Sequence, residues 1–344
     1  MKLGVAVLGV GRWGVHFVRN FLEHPQTELI AVVDSYEDSL TRCQERFDLN
    51  SNKVLLTTHW EKVKRLTNLD AVVVATPATT HYSIIQDALQ SGYHVLAEKP
   101  LTLDPAECLE LTELARSKNL QLLVDHTYLF NSTVTKGQEI IAAKELGDLR
   151  YGYATRTHLS PVRQDVDALW DLAIHDIAIF NYWLGESPIQ VQAKGQTWLQ
   201  KNSVMPISSQ PGLADMVWVT LYYPSGFQTH IHLCWLNPDK QRRLCVVGSQ
   251  GTLIFDEMAQ ETPLTIQQGY FAQEGENFIP QGQSRRAIDV EKNEPLSQVC
   301  DRFIQNILAN KQDNFSSGKV GAELVKVLRA LTTSLEQQGN IINL

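Results

Sequence analysis

The string Gly9-Val-Gly11-Arg12-Trp13-Gly14 follows an apolar run at residues 3–8 and precedes helical apolar spacing at 15–22. Residues 28–33 form a second apolar run, closed by Asp34, which stands 20 residues past Gly14. A GxGxxG string alone is a weak signal, but strand, glycine turn, helix, strand and acid within about 30 residues are specific. Each glycine has its own task. Gly9 permits a tight turn, Gly11 lets the backbone approach a pyrophosphate, and Gly14 allows close helix packing. The unpaired N–H groups at the helix start face the phosphates. Arg12 and Trp13, inside the loop, are placed at the same dinucleotide. Asp34 is expected to accept hydrogen bonds from the adenosine ribose hydroxyls, and its charge repels a 2′-phosphate. Ser35 and Tyr36 carry no positive charge, so NAD is favoured over NADP; Arg12 and Arg42, within reach of a phosphate, argue the other way.

Alternation continues, with helices expected at 37–47, 59–67, 81–91 and 104–117 and strands at 54–56, 70–75, 94–97 and 120–124. Residues 70–75 are apolar without alternation, as in a parallel strand buried on both faces. The pattern predicts an α/β Rossmann domain, a doubly wound parallel sheet, over 1–125. From 126 to 344 the rhythm changes. Helices are expected at 131–146, 169–184, 296–309 and 319–337, and strands at 149–158, 189–199, 215–223, 226–236, 243–249 and 252–256. This reads as an α+β domain with a largely antiparallel open sheet. Residues 257–295, rich in Gln, Gly and Glu, read as a mobile loop.

Composition narrows the partners. Thirty Lys+Arg against 38 Asp+Glu give a net charge of −8 over 344 residues, which disfavours nucleic acid and anionic membranes. No apolar stretch approaches the roughly 18 residues of a membrane span. The start of the chain reads as a first strand, not a secretory leader. Five scattered Cys without CxxC spacing suit a reducing cytoplasm.

Two turns carry candidate chemistry. Thr76-Pro77 and Glu98-Lys99-Pro100 both end apolar strands, and the carboxyl edge of an open α/β sheet is where ligands bind. Lys99 therefore points at the cleft, where a cation steadies an alcohol oxygen and its developing negative charge. Pro100 stiffens the turn. His81 opens the next helix, as a cap or a cofactor contact. Downstream, Trp170-Asp171-Leu-Ala-Ile-His175-Asp176 lies in an apolar helix. Asp171 and His175, at i and i+4, share a face, so the carboxylate orients an imidazole suited to take an alcohol proton. Arg163, Asp165 and Asp167 are substrate contacts or a solvated loop. His230 and His232 have the spacing of two metal ligands, but no third ligand is evident, so they read as sheet-surface histidines and no metal is expected. Trp170, Trp183, Trp198, Trp218 and Trp235 read as core or interface aromatics.

The strings GVGRWG, Asp34, ATPATTH, AEKP and DLAIHD, in this order, resemble the glucose–fructose oxidoreductase / inositol dehydrogenase / MocA (Gfo/Idh/MocA) family over essentially the whole chain. The resemblance implies an NAD(P)-binding first domain and a second domain with substrate contacts and an open sheet used for homo-oligomer packing, as a dimer or tetramer. It implies Lys99 as the catalytic lysine, His175 as the acid/base and Asp171 beside it. Thr76, Pro77, His81, Glu98 and Lys99 are placed at the cofactor, and Arg163, Trp170, Asp171 and His175 at the substrate. The stretch 163–176 looks most like the nucleotide-sugar 3-dehydrogenase branch; the 126–131 segment departs from that branch's asparagine-rich version. The reading is an NAD-dependent dehydrogenase acting on a secondary alcohol of a sugar, cyclitol or nucleotide sugar. Its alternatives are a cofactor-binding regulator without chemistry and a reductase of a non-sugar substrate, such as a tetrapyrrole or cyclic dihydrodiol.

Overall fold

The computed structural model describes residues 2–159, 161–208 and 211–344. The backbone divides into two compact units, Met1–Phe130 with Glu294–Val325, and Asn131–Asn293 with Lys326–Leu344. The first unit thus runs past the expected boundary at 125 and takes back a C-terminal segment that a linear reading gave to the second.

The N-terminal part of the first unit alternates β1 (Leu3–Leu8), α1 (Gly14–Glu23), β2 (Thr27–Val33), α2 (Glu37–Phe47), β3 (Leu55–Thr57), α3 (Trp60–Val63), β4 (Ala71–Val74), α4 (His81–Gln90), β5 (His94–Glu98), α5 (Pro105–Ser117) and β6 (Leu122–Asp125). Strand order is β3-β2-β1-β4-β5-β6, and every pairing is parallel. This is the doubly wound sheet expected, with its reversal of order between β1 and β4. Val5, Ala6, Val7, Ala71 to Val74 and Val95 to Ala97 are all 0% exposed, which is why these strands read as unbroken apolar runs. α1 lays Phe17, Val18 and Phe21 into that core. α5 starts cleanly because Pro105 takes its first turn and the Asp104 carboxylate accepts the Ala106 N–H at 2.7 Å.

The second unit holds α6 (Ser132–Ala142), β7 (Leu149–Leu159), α7 (Ile174–Leu184), β8 (Gln190–Gln196), β9 (Met216–Tyr222), β10 (Gln228–Cys234), β11 (Leu236–Gly248), β12 (Gly251–Asp256), β13 (Leu264–Glu274) and β14 (Asn277–Ala287). α8 (Pro295–Leu308), α9 (Gly318–Glu336) and β15 (Ile342–Asn343) close the chain. The sheet order is β14-β13-β12-β11-β7-β10-β9-β8-β15, antiparallel except for β7 beside β10. β7 alternates. A Cβ at Gly152 would lie 2.8 Å from Phe180 of α7, and Arg156 ion-pairs with Asp176 of the same helix. Tyr151 and Tyr153 lie on the opposite, exposed face. The expected mobile loop at 257–295 is instead largely the β13–β14 hairpin. β14 is exposed along its whole length; with no buried face, it lacks the period-two signal by which a strand is recognised.

The return of 294–325 to the first unit has a local cause. β6 would otherwise present a bare edge. The Val124 N–H donates to Ser316 O at 2.8 Å, and the Ser316 hydroxyl donates to Val124 O at 2.7 Å. The Asp313 carboxylate shapes that turn by accepting the Phe315 and Ser316 N–H groups at 2.7 and 2.8 Å, and Phe315 packs edge-on against Phe130.

Candidate active site

The first unit gathers its candidate residues at the carboxyl ends of β1, β2, β4, β5 and β6. Gly9 has φ +87°, and a Cβ there would meet Ala75 O at 2.5 Å. A Cβ at Gly14 would lie 1.9 Å from Gly9 O, so α1 can start where it does only with glycine. Around Gly11, no described residue beyond its two chain neighbours comes within 4 Å of a Cβ position. The space that a pyrophosphate needs is open, which fits a dinucleotide. Asp34 sits at the end of β2. Its Oδ2 accepts the Val10 N–H at 2.8 Å and its Oδ1 the Tyr36 N–H at 3.0 Å, so the carboxylate is fixed against the glycine loop. Trp13 is 48% exposed, with the Arg12 guanidinium 6.0 Å from its ring. Arg42 bonds to Ser39 on its own helix.

Thr76 and Lys99 leave the ends of β4 and β5, and the Lys99–Pro100 bond is cis. Glu98 turns back, its Oε2 accepting the Lys99 N–H at 2.9 Å. His81, expected at the cofactor, is 1% exposed. Its ring nitrogens face the carbonyls of Thr76, Pro100 and Leu101, so the side chain points into the protein and not onto an open ligand surface.

His126 is not among the site residues expected from the sequence. β5 and β6 pair Glu98 with Asp125, so Lys99 and His126 follow side by side. His126 is 2% exposed, and its Nε2 is buried without a hydrogen bond among the described residues. Burial pulls its pKa down to about 3, and the Lys99 charge adds to this. Burial pushes the Asp125 carboxyl up to about 6, against the Thr127 hydroxyl bond and Lys99. The two have opposite effects on stability. As pH falls from 7 to 5, an unfolded chain protonates His126 while the native state does not, so this group lowers stability by about 2 kcal/mol. Asp125 takes its proton in the native state first, so its contribution grows as pH falls toward about 4. His126→Asn should therefore gain stability relative to wild type on going from pH 7 to pH 5, measured by urea denaturation. Parallel pH responses would show that His126 titrates as an exposed histidine.

The second unit forms a cluster around the start of α7. Leu169–Ala173 is one turn of π-helix, not the α-helix expected, and runs directly into α7; such turns are frequent at functional sites. Asp171 lies in it. Its Oδ1 accepts from Arg163 Nη1 at 3.1 Å, and Arg163 also holds Asp165. His175 is half-buried one turn on. The neighbouring Asp176 is 0% exposed and accepts a forked bond from Arg156, with Nη2 to Oδ1 at 2.6 Å and Nε to Oδ2 at 3.2 Å. Burial raises the Asp176 carboxyl and the guanidinium opposes this; removing either partner would strand the other's charge. Trp170, expected at the substrate, is 1% exposed, and its indole N–H donates to Thr332 in the core. His158, outside the residues expected from the sequence, projects from β7 on the Arg156 face and lies within electrostatic range of Asp171, its Nδ1 buried without a hydrogen bond among the described residues. Burial holds it below the usual histidine range, with Arg242 adding to that effect.

A family profile described as "Oxidoreductase family, NAD-binding Rossmann fold" matches residues 3–126, and one for the GFO/IDH/MocA C-terminal domain matches residues 134–254. The chain belongs to the Gfo/Idh/MocA oxidoreductase family. This Gfo/Idh/MocA chain is 24% identical over 276 residues to UDP-N-acetylglucosamine 3-dehydrogenase of Acidithiobacillus ferrooxidans, covering 79% of this chain and 80% of that protein. It is 25% identical over 267 residues to the scyllo-inositol 2-dehydrogenase (NAD(+)) of Bacillus subtilis, covering 74% of each. GenD2 from gentamicin A biosynthesis, solved in complex with NAD, shares the Gfo/Idh/MocA fold with TM-score 0.81 at 21% identity, over 100% of this chain and 96% of that one.

Proposed function

We propose that the chain is an NAD-dependent dehydrogenase that oxidises a secondary alcohol of a sugar, cyclitol or nucleotide sugar to a ketone. The observation that carries this is the open space at Gly11 on the same sheet edge as Lys99. Gly9, Gly11, Arg12, Trp13 and Gly14 would hold the pyrophosphate, Asp34 the adenosine ribose, and Thr76, Pro77 and Glu98 the nicotinamide side. The cofactor supplies a carbon that accepts hydride from the alcohol carbon. The Lys99 ammonium donates to the alcohol oxygen and stabilises its developing negative charge. His175 takes the hydroxyl proton, and Asp171, tethered by Arg163, orients it.

Incubation with NAD+ and, separately, myo-inositol, scyllo-inositol and UDP-N-acetylglucosamine tests this by the absorbance of reduced nicotinamide. Binding of NAD+ with no reduction in any arm would turn the reading toward a non-catalytic regulator. Asp34 decides the cofactor. Asp34→Ala should weaken NAD+ about 10- to 100-fold, the worth of hydrogen bonds to a charged group, and narrow its preference over NADP+. An unchanged preference would leave the 2′-position read elsewhere.

Assembly as a dimer or tetramer is supported by the uncovered sheet face, where Trp218 stacks on His232 at 4.1 Å and is 52% exposed. All five cysteines are buried and unpaired, in keeping with a reducing cytoplasm.

A further inference from the structure

We propose that His81 is a positioning residue for Lys99, its imidazole lodged between the turns after β5 and β4 and donating its one N–H to the Pro100–Leu101 carbonyls of the turn that carries Lys99. The ladder between these parallel strands ends at Val74 and Ala97. Thr76 and Lys99 each lie two residues beyond that last pair, where the two chains turn away and no ladder bond joins them. His81 fills the gap. Its Nε2 lies 2.9 Å from Thr76 O, and its Nδ1 lies 2.9 Å from Pro100 O and 3.2 Å from Leu101 O.

The surroundings explain why a donor is needed there. Leu101 and Thr102 are 0% exposed, so water cannot satisfy carbonyls in this turn, and a buried carbonyl left unbonded is costly. The Thr80 hydroxyl already bonds within the β4 turn, to Thr76 Oγ1 and Pro77 O, and does not reach across. Among the described residues only carbonyl oxygens face the two ring nitrogens, so the ring serves as a donor and not as a base. Burial holds it below the usual histidine range despite those carbonyls, so it carries one N–H and donates to one turn at a time. An Asn amide nitrogen sits where Nδ1 does and would reach the Pro100–Leu101 side. A Gln amide nitrogen sits where Nε2 does and would reach Thr76. The pair therefore separates the two links.

The catalytic arm of this inference rests on the reading of Lys99 given above; the structural arm does not. The test compares wild type, His81→Phe, His81→Asn and His81→Gln as full chains. Amide hydrogen exchange over residues 97–103 should accelerate about tenfold or more in the Phe variant while β1 and β4 stay protected. The Asn variant should restore protection and the Gln variant should not. With whichever of myo-inositol or UDP-N-acetylglucosamine the wild type oxidises, kcat should fall about 10²-fold in the Phe variant, the loss expected when a reacting group is displaced by an ångström. KM and NAD+ affinity, read by tryptophan fluorescence, should stay within about threefold. Unchanged exchange at 97–103 would overturn the proposal. So would equal behaviour of the Asn and Gln variants, which remains readable if the Phe variant does not fold, and so would a kcat loss matched by loss of NAD+ binding. Full turnover by Lys99→Met would remove the catalytic arm alone and leave the exchange result to stand or fall by itself.

Discussion

Lys99→Ala is expected to lower kcat about 10²- to 10³-fold while NAD+ affinity stays nearly constant, because one preorganised donor to a developing alkoxide is worth that much. The separation follows from where the residue is built. Lys99 stands at the end of β5, and its own N–H is held by Glu98, so the turn persists without the side chain. The glycine loop and Asp34 belong to the ends of β1 and β2, where the Asp34 carboxylate is held by the Val10 N–H. The lysine charge also bears on its neighbours, lowering both Asp125 and His126. Its removal should therefore let His126 protonate more readily, visible as a shift in the histidine titration. Steady-state rates with a fluorescence titration of NAD+ separate the two quantities. A variant with full turnover would show that another group holds the oxygen.

Most of the fold was legible because its signals are local. Unbroken apolar runs at β1, β4 and β5, each followed by a helix of ordinary length, allow little besides a parallel sheet covered on both faces. The glycine loop was legible for the same reason, since each glycine answers to a neighbour within one βαβ unit or to an open space. What escaped was set by distant partners. β14 buries no face, so nothing in 277–287 marks a strand until β13 is beside it. The return of 294–325 depends on the edge of β6, nearly two hundred residues away in sequence. His81 and Trp170 have the residue types of ligand contacts, and only the packing shows that both turn inward, to carbonyls and to Thr332 respectively. His126 and His158 lie in no recognisable spacing; each becomes a candidate through a buried ring nitrogen that has no hydrogen bond among the described residues, beside a charged site residue.

The glycine loop offers the second large effect, and it divides one motif into two kinds of constraint. Gly11→Val should leave the protein folded and weaken NAD+ about 10²-fold or more, equivalent to about 2.7 kcal/mol. Among the described residues no atom beyond the two chain neighbours lies within 4 Å of a Cβ at Gly11, so a side chain there starts into open space, the space left for the pyrophosphate. Gly14→Ala should do the reverse. Its Cβ would sit 1.9 Å from Gly9 O, a backbone atom that cannot swing aside, so α1 must shift off the sheet. Overpacking of this kind costs about 1–3 kcal/mol or more, and the melting temperature should fall with it. Thermal melts beside NAD+ titrations of both variants read the two outcomes independently. Normal NAD+ affinity in the Gly11 variant would mean that the pyrophosphate does not approach this backbone, and the assignment of the loop to the cofactor would fail even if the fold stood unchanged.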